Sequence, residues 1–287
     1  MSVQKEVKRV TTHVLAEMKL HGEKISMLTS YDYSMAKLVD QAGIDVILVG
    51  DSASNVMAGN ETTLPITLDQ MIYHGKSVVK GVTRALVVVD MPFGTYQGNP
   101  YEALNSAIKI MKVTHADAVK VEGGKEIIES VERIVSAGIP VMGHLGLTPQ
   151  SASMQGGFKV QAKTGDAAKR LLDDCLALED AGVYSILLEL VPAKVATFIT
   201  ERLGVPTISI GSGVGCDGHC MIYHDVIGMF EAFLPKHVKR YCNVSPVLQE
   251  SLNQFVKEVK EKVYPEEGKH SFKITDEAFA DFVRNVG

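Results

Sequence analysis

Four largely apolar runs in this chain each end on an acid. They are Val46-Ile47-Leu48-Val49-Gly50-Asp51, Leu86-Val87-Val88-Val89-Asp90, Ala118-Val119-Lys120-Val121-Glu122 and Ser185-Ile186-Leu187-Leu188-Glu189. Continuous rather than alternating apolar residues predict strands buried on both faces, as in a parallel sheet. The full set of predicted strands is Ile25–Thr29, Val46–Gly50, Ala85–Asp90, Ala118–Glu122, Pro140–His144, Ser185–Leu190, Thr207–Gly211 and Val238–Asn243. Helical periodicity fills the gaps at Tyr33–Gln41, Leu68–Lys80, Tyr101–Thr114, Lys125–Ser136, Asp166–Ala181, Lys194–Arg202 and His224–Phe230. Asn99-Pro100 reads as an N-cap followed by proline at the first helical position. Gly43, Gly138, Gly182 and Gly204 stand where helices should end in left-handed caps.

About eight βα units in this length predict a closed (β/α)8 TIM barrel, a single domain over residues 1–287. An open doubly wound sheet is the alternative, but no Gly-x-Gly-x-x-Gly follows the first strand and no second domain announces itself. Thr11–Lys19 reads as an extra N-terminal helix closing the lower end of the barrel. Ser245–Val263 and Asp276–Val286 read as C-terminal helices after the last strand. The connection Ser52–Thr67 is unusually long and rich in Gly, Asn, Thr and Pro, as binding loops on the strands' C-terminal face often are.

Composition narrows the function by exclusion. A net charge of −5 offers no basic stripe for nucleic acid. No apolar stretch approaches the ~20 residues that span a bilayer, and Met1–Glu6 lacks the apolar block of a secretory signal. A cytoplasmic protein with reduced thiols is therefore expected. Cys216, His219, Cys220 and His224 raise a zinc question, yet their spacing matches none of the common structural zinc patterns, and free thiols are the expectation.

The strand ends are where chemistry is expected. They present Asp51-Ser52, Asp90, Lys120 with Glu122, His144, Glu189 and Gly211-Ser212-Gly213. Acids converging on one rim repel unless a metal, a lysine or a shared proton compensates. Lys120 and Glu122, two apart on a strand, point to the same side. Carboxylates with water and substrate oxygens make a hard site suited to Mg²⁺ or Mn²⁺. Alternatives stay open at several positions. Asp51 and Asp90 also fit helix caps, Glu122 also fits a simple pair with Lys120, and His144 also fits a hydrogen-bonded scaffold residue. Glu189, in an apolar stretch, is the best candidate for a proton-abstracting base. The glycine-rich loop after the seventh strand fits either a phosphate cradle or a close backbone approach.

These blocks resemble one family. From about Lys24 to Phe272 the chain is similar to ketopantoate hydroxymethyltransferases. The resemblance rests on Val49-Gly50-Asp51-Ser52, Thr62-Thr63-Leu64-Pro65-Ile66-Thr67, Tyr73-His74, Asp90-Met91-Pro92-Phe93 and Val119-Lys120-Val121-Glu122-Gly123-Gly124. It continues through Gly143-His144-Leu145-Gly146-Leu147-Thr148-Pro149-Gln150-Ser151, Leu188-Glu189-Leu190-Val191-Pro192, Asp217-Gly218 and His224-Asp225. The resemblance implies a barrel of the phosphoenolpyruvate/pyruvate superfamily that uses one Mg²⁺ per subunit and takes 5,10-methylenetetrahydrofolate as co-substrate. It implies transfer of a hydroxymethyl group to 2-oxoisovalerate through an enolate, in pantothenate biosynthesis. By motif, Asp51 and Asp90 would ligate the metal with Glu122 in support. Asp51, Ser52, Asp90 and Lys120 would meet the ketoacid, His144 is a further candidate contact, and Glu189 would be the base. A large homo-oligomer, often a decamer, is implied as well. The chain departs from the family pattern at Ser54, where a glycine is common, at Ser212, where alanine is usual, and at His219, where glutamine is common. Rival readings are a related Mg²⁺-dependent lyase or mutase and a non-catalytic binding barrel. The lyases usually carry a cysteine in the loop equivalent to Ser52–Thr67, which has none.

Overall fold

In the computed structural model, which describes residues 8–230 and 234–287, eight parallel strands close into a barrel in sequence order. They are β1 (Ile25–Thr29), β2 (Val46–Val49), β3 (Leu86–Asp90), β4 (Ala118–Glu122), β5 (Val141–Gly146), β6 (Ser185–Glu189), β7 (Thr207–Ile210) and β8 (Gly218–Met221). The helices are α1 (Thr12–His21), α2 (Tyr33–Gln41), α3 (Ala53–Val56), α4 (Leu68–Gly81), α5 (Pro100–Thr114), α6 (Ile128–Ser136), α7 (Gly165–Asp180), α8 (Ala193–Thr200), α9 (Tyr223–Val226), α10 (Val244–Lys260) and α11 (Asp276–Val286).

The two-residue period of the strands sorts their side chains into two apolar layers. Ile47, Val49, Val87, Val89, Val119, Val121, Val141, Ile186 and Leu188 face outward and pack against the helices. Ile25, Met27, Val46, Leu48, Leu86, Val88, Ala118, Met142, Leu187, Ile208 and Cys220 fill the barrel interior. Leu15 and Met18 of α1 join that interior cluster, so α1 closes the N-terminal end as its pattern implied. The inward positions then change character along each strand. Leu86 and Val88 are followed by Asp90, Ala118 by Lys120 and Glu122, Met142 by His144, and Leu187 by Glu189. The floor of the barrel is apolar and its upper rim is charged.

The predicted Asn99 cap and three of the four predicted glycine returns hold, and the structure adds a capping box at Thr67. Asn99 caps α5 through Tyr101 N, and Thr67 forms a full capping box with Gln70 on α4. Gly43, Gly138 and Gly182 adopt φ of 85°, 85° and 90° at three equivalent helix-to-strand returns. Gly204 does not belong with them. Helix α8 ends at Thr200, and the Gly204 N–H instead donates to Glu179 Oε1 at 2.7 Å.

The eighth strand is a correction. Val238–Asn243 forms no strand; Tyr241 N bonds to Val226 O in irregular chain. Instead β8 comes directly after the glycine-rich loop, with no helix between β7 and β8, and closes the barrel by pairing Ile25 with Gly218 and Met27 with Cys220. A Cβ at Gly218 would stand 2.5 Å from Ile25 O, so closure demands glycine. That requirement erases the β-branched signature by which strands are recognised. The expected helix over His224–Phe230 is likewise only the short α9.

The rim is held by one close approach. Gly146, at the end of β5, has φ of 91°, and its missing Cβ would lie 2.2 Å from Glu189 O. Leu147 N donates to that same carbonyl at 2.8 Å. Gly146→Ala is therefore expected to lower unfolding free energy by more than about 1 kcal/mol, because the backbone conformation and the space both exclude a side chain. A urea unfolding midpoint equal to that of the unaltered chain would contradict this reading.

Candidate active site

The side chains singled out at the strand ends meet in one cavity rim. Lys120, inward on β4, places Nζ 2.9 Å from Asp90 Oδ1 and 3.7 Å from Glu122 Oε1. His144 on β5 sets Nδ1 3.2 Å from Glu122 Oε1, while its Nε2 lies 3.3 Å from Glu189 Oε2 without the alignment of a hydrogen bond. Asp51 follows β2 through Gly50, and its backbone N–H donates to Asp90 Oδ2 at 2.9 Å. A Cβ on Gly50 would lie 2.8 Å from Ser52 Oγ and 3.6 Å from Asp90 Oδ2, so glycine makes room for this turn. The Ser52 hydroxyl is fixed by the buried Tyr31, whose OH lies 2.7 Å away. Asp51, Ser52, Asp90, Lys120, Glu122, His144 and Glu189 thus belong to one connected constellation.

Glu189 differs from the other acids. Its side chain is 15% exposed, against 2% for Glu122 and 3% for Asp90, so it stands at the mouth while they lie beneath. Its position is imposed by its neighbours. Leu190 takes a left-handed φ of 47°, Leu190 N bonds to Ile210 O, and Val191 N donates to Ser212 Oγ at 3.0 Å. Ser212 Oγ in turn donates to Leu188 O at 2.8 Å. The departure at Ser212 is therefore a strut between β7 and the end of β6.

Charge does not balance in this rim. Four carboxylates (Asp51, Asp90, Glu122, Glu189) face two cationic side chains, Lys120 and His144. Burial opposes the Lys120 ammonium, but Asp90, Glu122 and Asp51 hold its proton well above the ordinary lysine range. Burial and Lys120 push His144 down, yet Glu122 and Glu189 outweigh them and raise it to about 9. That shift favours the protonated ring, whose Nδ1 lies 3.2 Å from Glu122 Oε1 and 3.3 Å from Lys120 Nζ. Burial also tends to raise Glu122, but His144 and Lys120 bring it below the usual carboxylate range. Asp51 and Asp90 bear the excess: burial raises Asp90 despite Lys120, and burial, Glu122 and Asp90 push Asp51 up to about 8.

This donor set suits a hard divalent cation. Asp90 Oδ1 is buried and, despite the nearby Nζ, has no well-formed hydrogen bond. Asp51 accepts only Gln150 Nε2, on Oδ2, among the described residues. No three His, Cys, Asp or Glu side chains among the described residues close a metal cage by themselves. Mg²⁺ usually takes only one or two carboxylates and fills its remaining positions with water and substrate. The cysteines lie apart, with Cys216 in the outer apolar layer and Cys220 in the barrel interior. They do not share a site.

The glycine-rich loop after β7 is of the close-approach kind. No helix N-terminus follows it, and Cβ atoms at Gly211 and Gly215 would collide with Leu190 and Thr197. Loop Ser52–Thr67 is ordered internally. Ser54 Oγ donates to Thr62 O at 2.7 Å and accepts from Asn60 Nδ2 at 3.1 Å, so the hydroxyl at this departure ties the loop to itself. His219 is exposed on β8, facing away from the interior cluster that holds Cys220.

Tyr31, Tyr96 and Gln150 were not among the residues picked from the sequence. Each reaches the site from beyond a strand end, where no hydrophobic pattern marks it. The quoted family block ending Thr148-Pro149-Gln150-Ser151 was the one available signal.

Fold and site together define a (β/α)8-barrel enzyme with an acid-rich cluster on the C-terminal rim of the strands. Residues 9–267 match the ketopantoate hydroxymethyltransferase family, and the chain belongs to it. It is 57% identical to the 3-methyl-2-oxobutanoate hydroxymethyltransferase of Parabacteroides distasonis over 93% of this chain and 98% of that one. To the enzyme of the same name from Porphyromonas gingivalis it is 58% identical, over 91% and 95%. A solved phosphonopyruvate hydrolase in complex with oxalate and Mg²⁺ shares the fold, with TM-score 0.58 at 11% identity, covering 96% of this chain and 98% of that one. A phosphoenolpyruvate phosphomutase from Streptomyces platensis subsp. rosaceus gives 0.60 at 14%, with the same coverage.

The Asp51 shift has a measurable consequence. Unfolded, this carboxyl ionises near 3.8; folded and metal-free, it keeps its proton to about 8. Between those values the folded state binds more protons, so stability falls as pH rises. In chelator, the thermal midpoint should therefore fall more steeply from about pH 5 to about pH 8 than that of Asp51→Asn, and Mg²⁺ should reduce the slope. Parallel slopes would refute the assignment.

Proposed function

We propose that this chain transfers the one-carbon unit of 5,10-methylenetetrahydrofolate to C3 of 3-methyl-2-oxobutanoate, yielding ketopantoate for pantothenate biosynthesis. Asp51 and Asp90 would hold one Mg²⁺, with Glu122 in support. The observation that carries this reading is the crowding of four carboxylates around two cations at one rim, with Asp90 Oδ1 meeting only the Lys120 ammonium at 2.9 Å and Asp51 Oδ1 accepting no hydrogen bond among the described residues. When bound, the ion supplies Lewis acidity toward the ketoacid oxygens and toward the charge that develops as C3 loses its proton.

The chain's own groups supply the rest. Lys120 brings a positive charge to the same buried corner as Asp90 and stabilises the developing oxyanion. Ser52, oriented by Tyr31, offers a hydroxyl to the ketoacid carboxylate. Glu189, at the mouth, removes the C3 proton; C3 then bonds to the one-carbon unit, and water replaces the folate nitrogen on that carbon, releasing ketopantoate and tetrahydrofolate. His144 links Glu122 to Glu189 and opposes the build-up of negative charge between them. Relatives at 57% and 58% identity that bear the name 3-methyl-2-oxobutanoate hydroxymethyltransferase support the substrate and the reaction.

As for setting, no described helix is long and apolar enough to cross a membrane. A cytoplasmic homo-oligomer, a decamer by family resemblance, completes the proposal.

Proton exchange tests the first half-reaction without folate. The chain should exchange the C3 hydrogen of 3-methyl-2-oxobutanoate with D₂O when Mg²⁺ is present, and Glu189→Gln should slow this by roughly 10²–10⁴-fold. Full exchange in Glu189→Gln, followed by NMR, would remove Glu189 from the role of base.

A further inference from the structure

Beside the acids lies a residue whose side-chain amide is fully engaged. Gln150, buried in the turn after β5, donates its backbone N–H to Glu122 Oε2 at 2.9 Å. Its Nε2 donates to Asp51 Oδ2 at 2.9 Å and to Met91 O at 3.1 Å. Its Oε1 accepts from Tyr96 OH at 2.6 Å and from Gln97 Nε2 at 3.0 Å. Tyr96 is itself buried and anchored, because its carbonyl accepts from Ser130 Oγ at 2.8 Å and its phenol oxygen accepts the Glu122 N–H at 2.9 Å.

A phenol has one proton to give. Of the two acceptors near it, Gln150 Oε1 is closer, at 2.6 Å against 3.2 Å for Glu122 O. The amide is then locked. A flip would turn its NH₂ toward the Tyr96 proton and the Gln97 NH₂, and its oxygen toward the Asp51 carboxylate and Met91 O. With the observed orientation, one side chain binds the acid after β2 and its backbone binds the acid ending β4. Asp51 Oδ2 is thereby occupied and Oδ1 left free of hydrogen bonds among the described residues.

We infer that Gln150 is a positioning residue for a divalent-cation site. It holds Asp51 and Glu122 in fixed register, and Tyr96 fixes which end of its amide faces Asp51. This rests on the proposal that those acids serve a metal. A residue that merely anchored the loop would affect folding but not affinity for the ion.

Binding of Mn²⁺ to the full-length chain, followed by the EPR signal of free Mn²⁺, separates these roles. Gln150→Met keeps the length of the side chain and the backbone bond to Glu122, but loses the donor to Asp51. It should weaken Mn²⁺ binding 10- to 100-fold, as loss of an outer ligand partner commonly does, in protein that remains folded although its metal-free thermal midpoint falls with the lost bonds to Tyr96, Gln97 and Met91. Tyr96→Phe should weaken binding less, and the double variant no more than Gln150→Met alone. Unaltered Mn²⁺ affinity in Gln150→Met, or strictly additive losses, would overturn the inference while leaving the metal site standing. If Gln150→Met does not fold, Tyr96→Phe decides, and unchanged affinity there overturns it. Failure of the unaltered chain to bind Mn²⁺ would overturn the metal reading and this inference together.

Discussion

Carboxylates crowded inside a protein cannot all stay ionised unless positive charge is delivered among them. The upper half of this barrel is arranged around that constraint. Lys120 lies between Asp90 and Glu122, and His144 lies between Glu122 and Glu189. Those two cations leave the Asp51 corner short of positive charge. The shortfall marks where a divalent ion is wanted, and it separates the buried acids that would hold the ion from Glu189 at the mouth. Removing Lys120 would strand two buried carboxylates, so the group placed for the proposed chemistry also holds the rim together.

The barrel positions these groups through its two-residue period. Each inward row begins with apolar residues that fill the floor and ends with a charged one at the rim. The apolar packing holds the strand ends in register, and the backbone then completes the placement. Gly146 lets the ends of β5 and β6 approach, and Ser212 braces β6 across to β7 around the left-handed Leu190. At the departures from the family pattern, the Ser54 hydroxyl ties its loop to itself and the Ser212 hydroxyl braces the backbone on either side of Glu189.

Much of this was legible along the chain. Seven strands were recognisable because parallel-barrel strands are apolar throughout, and the helices between them because their caps follow local rules. The acids stood out because a charge ending an apolar run is costly. β8 was not legible: Gly218-His219-Cys220-Met221 is short, and its glycine is required by Ile25 O. The supports of the site were also hidden. Tyr31, Tyr96 and Gln150 come from turns and loops, and only tertiary structure brings Gln150 to Asp51, ninety-nine positions away. The family resemblance named a substrate, which the strand pattern alone does not do.

This acid-rich rim is proposed to carry out divalent-cation-dependent transfer of a one-carbon unit to a branched ketoacid. The most direct measurement is ketopantoate formation from 3-methyl-2-oxobutanoate and 5,10-methylenetetrahydrofolate by the purified chain, before and after removal of divalent ions. The account predicts product that disappears with chelation and returns when Mg²⁺ is restored. No product with Mg²⁺ present, or turnover indifferent to metal removal, would contradict it.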